Sequence, residues 1–260
     1  MEVVGFILGI LIGISLGLIG SGGSILAIPV LVYLMQIVPS TATVYSLFIV
    51  GVSALAGSIK GVKQKLLSTR VVLFFGIPSV LSIFVMRKFI VPLLPEVLFT
   101  ADRFVFTKDL LIMSLSAILM ILSSVSMIRK NPISAGDETQ LATDKIIFQG
   151  IVIGMLTGFV GVGGGFLIIP TLIYKARLTM KKAVATSLVI IAFNSLIGFA
   201  GSIGTIKIDW IFLLTFTGFA VVGIFTGMFL SQKISSEKLK PAFGWFILAT
   251  GMYILIKEIV

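Results

Sequence analysis

Two glycine-rich corners carry the chemistry this chain is equipped for. Gly20-Ser21-Gly22-Gly23-Ser24 and Gly161-Val162-Gly163-Gly164-Gly165 each interrupt an apolar stretch, and each is followed by a proline, Pro29 and Pro170. A glycine cluster leading into a helix exposes backbone N–H groups at the positive end of the helix dipole, with no side chain in the way. That is a donor set for a small oxyanion, and successive N–H groups in αR–αL conformations cup an anion. Ser21 and Ser24 add hydroxyl donors to the first corner only, because Val162 and Gly165 hold their places in the second. Consecutive glycines support no helix, so the chain is expected to break at both corners.

The elements that must hold these corners follow from a duplication. The run from Gly17 to Pro29 returns as Gly158 to Pro170, an offset of 141 residues that holds without a gap from Gly9/Gly150 to Gly57/Gly198. Shared aliphatic residues mean little in so apolar a chain, but glycines and a proline repeated at fixed spacing mark two copies of one unit. Paired Gly/Pro-interrupted apolar segments point to a transport site in a membrane protein. Gly9, Gly13 and Gly17, with Gly150, Gly154 and Gly158, recur every fourth residue; they are read as smooth helix faces for close packing, not as site residues. Few polar side chains lie in the segments that flank the corners. Ser46 and Ser187 match across the copies, and Asn194 matches Ser53. A hydroxyl in a membrane helix commonly bonds its own preceding turn, but these three stand close enough to join the candidate site.

The membrane itself is written in the composition: 58% of 260 residues are hydrophobic and 12% charged, with a mean hydropathy of +1.20. Apolar segments are expected over 3–19, 24–36, 41–59, 71–90 and 110–128, then 146–160, 165–174, 183–203, 210–230 and 242–257. Residues 24–36 make a helix of only about 19 Å, short of the ~30 Å hydrocarbon core. The first two segments of each copy therefore read as a broken, re-entrant hairpin whose corner lies within the membrane. Three ordinary transmembrane helices follow, so each copy crosses an odd number of times and the second is inverted. The expected fold is all-α and polytopic, with a first repeat over 1–128, a cytoplasmic linker over 129–145 and a second repeat over 146–260. Residues 91–108 read as an interfacial external loop.

Charge supports one orientation. With the N-terminus outside, 14 of the 20 Lys and Arg residues fall in cytoplasmic loops, as the positive-inside rule requires. The six on the other face, Arg87 and Lys108 among them, are matched by six acids. A signal peptide is not expected, because Glu2 and no basic residue precedes the first apolar run. Both termini are expected outside the cytoplasm of a cell-membrane protein. The net charge of +10 thus sets topology and implies no nucleic-acid partner. The chain has no Cys and no His, and its acids read as lying at segment ends, so an enzyme lacks its nucleophile, its acid and its metal ligands. No metal or cofactor is expected. No buried carboxylate relay is visible either; coupling through a proton on the substrate, through a terminal residue, or none at all stays open, as does assembly into a homo-oligomer.

The paired motif G-x-x-G-x-G-G-[SG]-x-x-x-x-P in a duplicated helical membrane chain resembles the sulfite exporter TauE/SafE family, the TSUP permeases. That resemblance implies secondary transport of small sulfur-containing anions, sulfite or organosulfonates, commonly as export and linked to protons. Distantly related thiosulfate-uptake proteins use cysteines along the pathway, and this chain has none. The features it carries over are the elbow residues Gly20, Ser21, Gly22, Gly23 and Ser24 with Gly161, Gly163, Gly164 and Gly165. Together the readings predict alternating access around a midplane site where the two elbows meet. An anion channel and an importer of another small anion are the alternatives.

Overall fold

A computed structural model describes residues 2–20, 22–101, 104–128, 143–231 and 236–259. Among these residues ten helices run in the order α1 (Glu2–Ile19), α2 (Gly22–Pro29, continued by a π-helical turn Val30–Leu34), α3 (Pro39–Lys63), α4 (Thr69–Leu93), α5 (Lys108–Ile128), α6 (Thr143–Val160), α7 (Gly165–Tyr174), α8 (Met180–Ser202), α9 (Trp210–Leu230) and α10 (Ser236–Ile259). The chain is an all-α polytopic membrane protein. Six of the described helices are long and apolar enough to cross a bilayer: α3, α4, α5 over Lys108–Val125, α6, α8 and α9. Nearly all of the linker expected over 129–145 lies outside the described residues.

Local chemistry explains the element ends. Pro39 opens α3 in the first-turn position where its missing N–H costs nothing. Asp209 caps α9 by accepting from the Phe212 N–H at 3.1 Å, and Thr107 does the same for Leu110 N at 3.2 Å on α5. α4 carries two π-helical turns, Val72–Gly76 and Met86–Ile90, which shift the face presented by everything beyond them. The stretch expected as an external loop instead folds into an antiparallel hairpin, β1 (Val97–Ala101) with β2 (Phe104–Thr107). Stacked Phe99 and Phe106, with centroids 4.9 Å apart, hold it.

The centre of the bundle is the antiparallel pair α3 and α8, whose Leu47, Val50, Ile190 and Ile191 are buried against one another's neighbours. Around it the glycine faces seat the other helices. A Cβ on Gly13 would lie 2.0 Å from the Ala220 carbonyl oxygen, and one on Gly154 2.4 Å from that of Ser79. Gly9 meets Phe216 and Gly150 meets Phe75; Gly17 meets Ile224 and Gly158 meets Ile83. Adding 141 to 75, 79 and 83 gives 216, 220 and 224, so the same seat is built twice. α1 of the first copy lies on α9 of the second, and α6 of the second lies on α4 of the first. The close-packing role expected of these glycines is what their contacts show.

Candidate functional site

Both corners form where the glycines stand, but they are built differently. At the first, Gly20 adopts φ +78° and α2 begins two residues later at Gly22. At the second, Gly161, Gly163 and Gly164 adopt φ +80°, +67° and +76°, and α7 begins only at Gly165. Side chains rarely tolerate this left-handed region, which glycine enters freely. The second break is therefore the longer, and residues 161–165 are all buried.

The entries to the two corners stand apart. Gly161 lies against Thr43, the fifth residue of α3, whereas Gly20 lies against Val184. Next to Val184, Ala185 touches Gly61 of α3, 18 residues beyond Thr43, or about 27 Å along the axis at the helical rise. The entering helices α1 and α6 have 18 residues each, about 27 Å, and bring Gly20 and Gly161 toward opposite ends of α3. Beyond these entries, Gly163 meets Val50 and Ser195 near the middle of α3 and α8, and the short helices α2 and α7 touch each other.

The candidate residues accordingly divide. Around the first corner, Gly23 packs into its own hairpin, its Cβ position 2.3 Å from the Ile12 carbonyl. Ser24 is buried on α2, and Ser187 donates to the Val184 carbonyl at 2.9 Å within its own helix. Ser21 lies outside the described residues. Around the second corner, Ser46 donates to the carbonyl of Gly161, so it fastens the turn and leaves its own hydrogen unavailable to a ligand. Asn194 is fully buried and donates from Nδ2 to Ser79 Oγ at 2.7 Å, tying α8 to α4, while its Oδ1 has no hydrogen-bond partner.

The strongest polar feature is one that sequence reasoning placed at the external face. Arg87 sits in the second π-helical turn of α4 and is 3% exposed. Its Nη2 would stand 2.0 Å from a Cβ on Gly161, so only glycine lets the guanidinium close on the corner. Nη1 donates to Thr43 Oγ1 at 3.2 Å, and Thr43 passes its own hydrogen to the Ser40 carbonyl at 2.8 Å. Nε and Nη2 are buried without a hydrogen-bond partner. An uncompensated buried ion costs several kcal/mol even after relaxation, and ionisable groups inside a membrane bundle mark substrate pathways. Thr43 and Arg87 also line a cavity of about 490 Å³. Its wall comes from the start of α3, the end of α4, the start of α5 and the turn after α8, and it holds Ser40, Glu96, Lys108 and Asp109 as well. Ser40 donates to Asp109, and Lys108 Nζ to the Val91 carbonyl at 2.8 Å.

A signal for Arg87 existed in the chain. Phe75, Ser79, Ile83, Arg87 and Val91 recur every fourth residue and are all buried, continuing the seat that Gly150, Gly154 and Gly158 require. The adjacent Lys88 is exposed, and the pair Arg87-Lys88 near the end of a span reads as an interfacial flank.

With this geometry, comparison with known proteins is decisive for kinship. The family model described as sulfite exporter TauE/SafE matches residues 5–254. The chain belongs to the TauE/SafE family. A probable membrane transporter protein of Xylella fastidiosa is 28% identical over 249 residues, covering 94% of this chain and 91% of that protein. A probable membrane transporter protein of Haemophilus influenzae is 25% identical, covering 96% and 97%. One from Methanocaldococcus jannaschii is 32% identical over 114 residues, 42% of this chain and 43% of that one. No solved structure matches. This TauE/SafE protein is thus a multi-pass membrane transporter.

Proposed function

We infer that the chain is a secondary transporter of small sulfur-containing oxyanions, sulfite or an organosulfonate, working as an exporter in the cell membrane. The observation that carries this reading is the second corner: left-handed glycines leading into the N-terminus of α7, with Gly161 against a buried guanidinium that lacks partners on two nitrogens and lines a cavity. An anion suits that place, because it meets backbone donors, a helix N-terminus and an uncompensated positive charge together. The twice-built seat supports the reading of two repeats, and the inversion follows if α6 enters from the cytoplasmic face that the basic loops mark. Both termini then lie outside. The cavity at the ends of α3, α4 and α8 would be the external approach, and alternating access would open the corner to the cytoplasm through rearrangement of the α6–α7 hairpin.

The test is sulfite flux in proteoliposomes. Saturable flux is expected, falling at least tenfold in Gly163→Leu, whose side chain would meet Ser195 and Val50. Conductance far above carrier rates would replace the carrier with a channel. Absence of any sulfite or sulfonate flux from the wild-type protein would overturn the substrate assignment.

A further inference from the structure

We propose that Arg87 is the residue that reads the charge of the cargo, and that among the described residues the chain has one such anion site, at the second corner. The assignment rests on the transport reading above and gives it a specific group. Of the five guanidinium N–H bonds, those on Nη1 face Thr43, while Nε and Nη2 are unpaired and buried. Nε–H and the neighbouring Nη2–H form the side edge of the guanidinium plane, two parallel donors that match two oxygens of one carboxylate, sulfonate or sulfite. Lysine offers no such fork.

The one-sidedness comes from the duplication carried through to α4 and α9. The seats show that Ile83 corresponds to Ile224, so Arg87 corresponds to Met228, and Thr43 to Val184. At the first corner Gly20 packs on Val184, and Gly17 packs on the backbone at Met228. The places that hold a cation and a hydroxyl beside Gly161 hold a thioether and an isopropyl group beside the first corner. Glu96 and Asp109 also line the cavity of Arg87, but Asp109 is already engaged by Ser40, and Glu96 is exposed.

The decisive experiment combines thermal unfolding of the purified full chain, titrated with sodium sulfite and sodium methanesulfonate, with sulfite flux in proteoliposomes. The chosen variant is Arg87→Met, which copies the residue of the other repeat and removes an unpaired buried charge. It should melt no lower than wild type without anion, lose the anion-induced rise in melting temperature, and bind sulfite at least about 30-fold more weakly, as when one partner of a buried charge pair is removed. Arg87→Lys keeps the charge without the fork and should recover only part of the affinity. Met228→Leu should leave the KM for sulfite within about twofold. An anion-induced shift in Arg87→Met equal to wild type would overturn the assignment while leaving transport standing; so would Arg87→Lys matching wild type, should the methionine variant not fold. A KM raised more than fivefold by Met228→Leu would overturn the single site. No response of the wild-type protein to either anion would remove the sulfur-oxyanion reading and the assignment with it.

Discussion

The two corners share one glycine pattern and present different chemistries. At one, Gly20 rests on Val184 and the chain re-enters a helix almost at once; at the other, Gly161 rests on Thr43 and Arg87 and three glycines stay left-handed before α7 begins. Their packing seats have barely changed: α1 lies on α9 as α6 lies on α4, glycine against backbone carbonyl in both. Scaffold and site have therefore been under different constraints. A seat in which two backbones touch accepts only glycine, whereas the residue at the corner can be polar or apolar without unseating a helix. Of two like frames, one holds the buried cation.

That contrast can be broken at several levels. The largest effect is expected at the seats, where the copies should behave alike. Gly13→Leu and Gly154→Leu each drive a side chain into a carbonyl of the neighbouring helix, costing about 3 kcal/mol or more by overpacking; both should fail to give a monodisperse peak in size exclusion. Tolerance of either would show that the two seats are not equivalent. The corners should then differ. Gly20→Ala and Gly161→Ala impose similar backbone strain, about 1–2 kcal/mol, and should lower the melting temperature comparably. Only Gly161→Ala also displaces the guanidinium, so its sulfite flux should fall at least tenfold further, and equal losses would erase the distinction. The smallest effect concerns the matched serines. Ser46→Ala loses a bond to the Gly161 carbonyl and should destabilise by about 1 kcal/mol, while Ser187→Ala, bonded within its own helix, should stay within about 0.5 kcal/mol in thermal unfolding.

Much of the architecture is legible in the residues alone. The 141-residue offset, the breaks at both corners, the shortness of α2 and α7 and the packing role of the four-residue glycine rows all follow from glycine's backbone freedom and from helix geometry. What composition could not convey is where a broken hairpin stops. The first 18-residue helix of each hairpin is as apolar as its partner is short, so the corner's depth depends on the helix it slides along, and that is set by the α1–α9 and α4–α6 seats. The placement of the candidate residues was legible only in part for the same reason. Gly161, Gly163, Gly164 and Ser46 do gather, while Ser187 and Gly23 serve other contacts. Arg87 was hidden because a basic pair near the end of a span looks interfacial, and the π-helical turn that keeps the buried row at a strict four-residue spacing has no composition of its own.

The exchange of first and fourth helices between copies also dictates an order of assembly. When the ribosome has made α1, the surface meant to receive it, Phe216 to Ile224, is still some 200 residues from being synthesised; at 5–20 residues per second that is a wait of roughly 10–40 s. Throughout it the glycine row of α1 faces lipid or insertion machinery. Neither half is a self-sufficient lodger in the bilayer, and a gene cut at the linker should yield two fragments that survive only when made together.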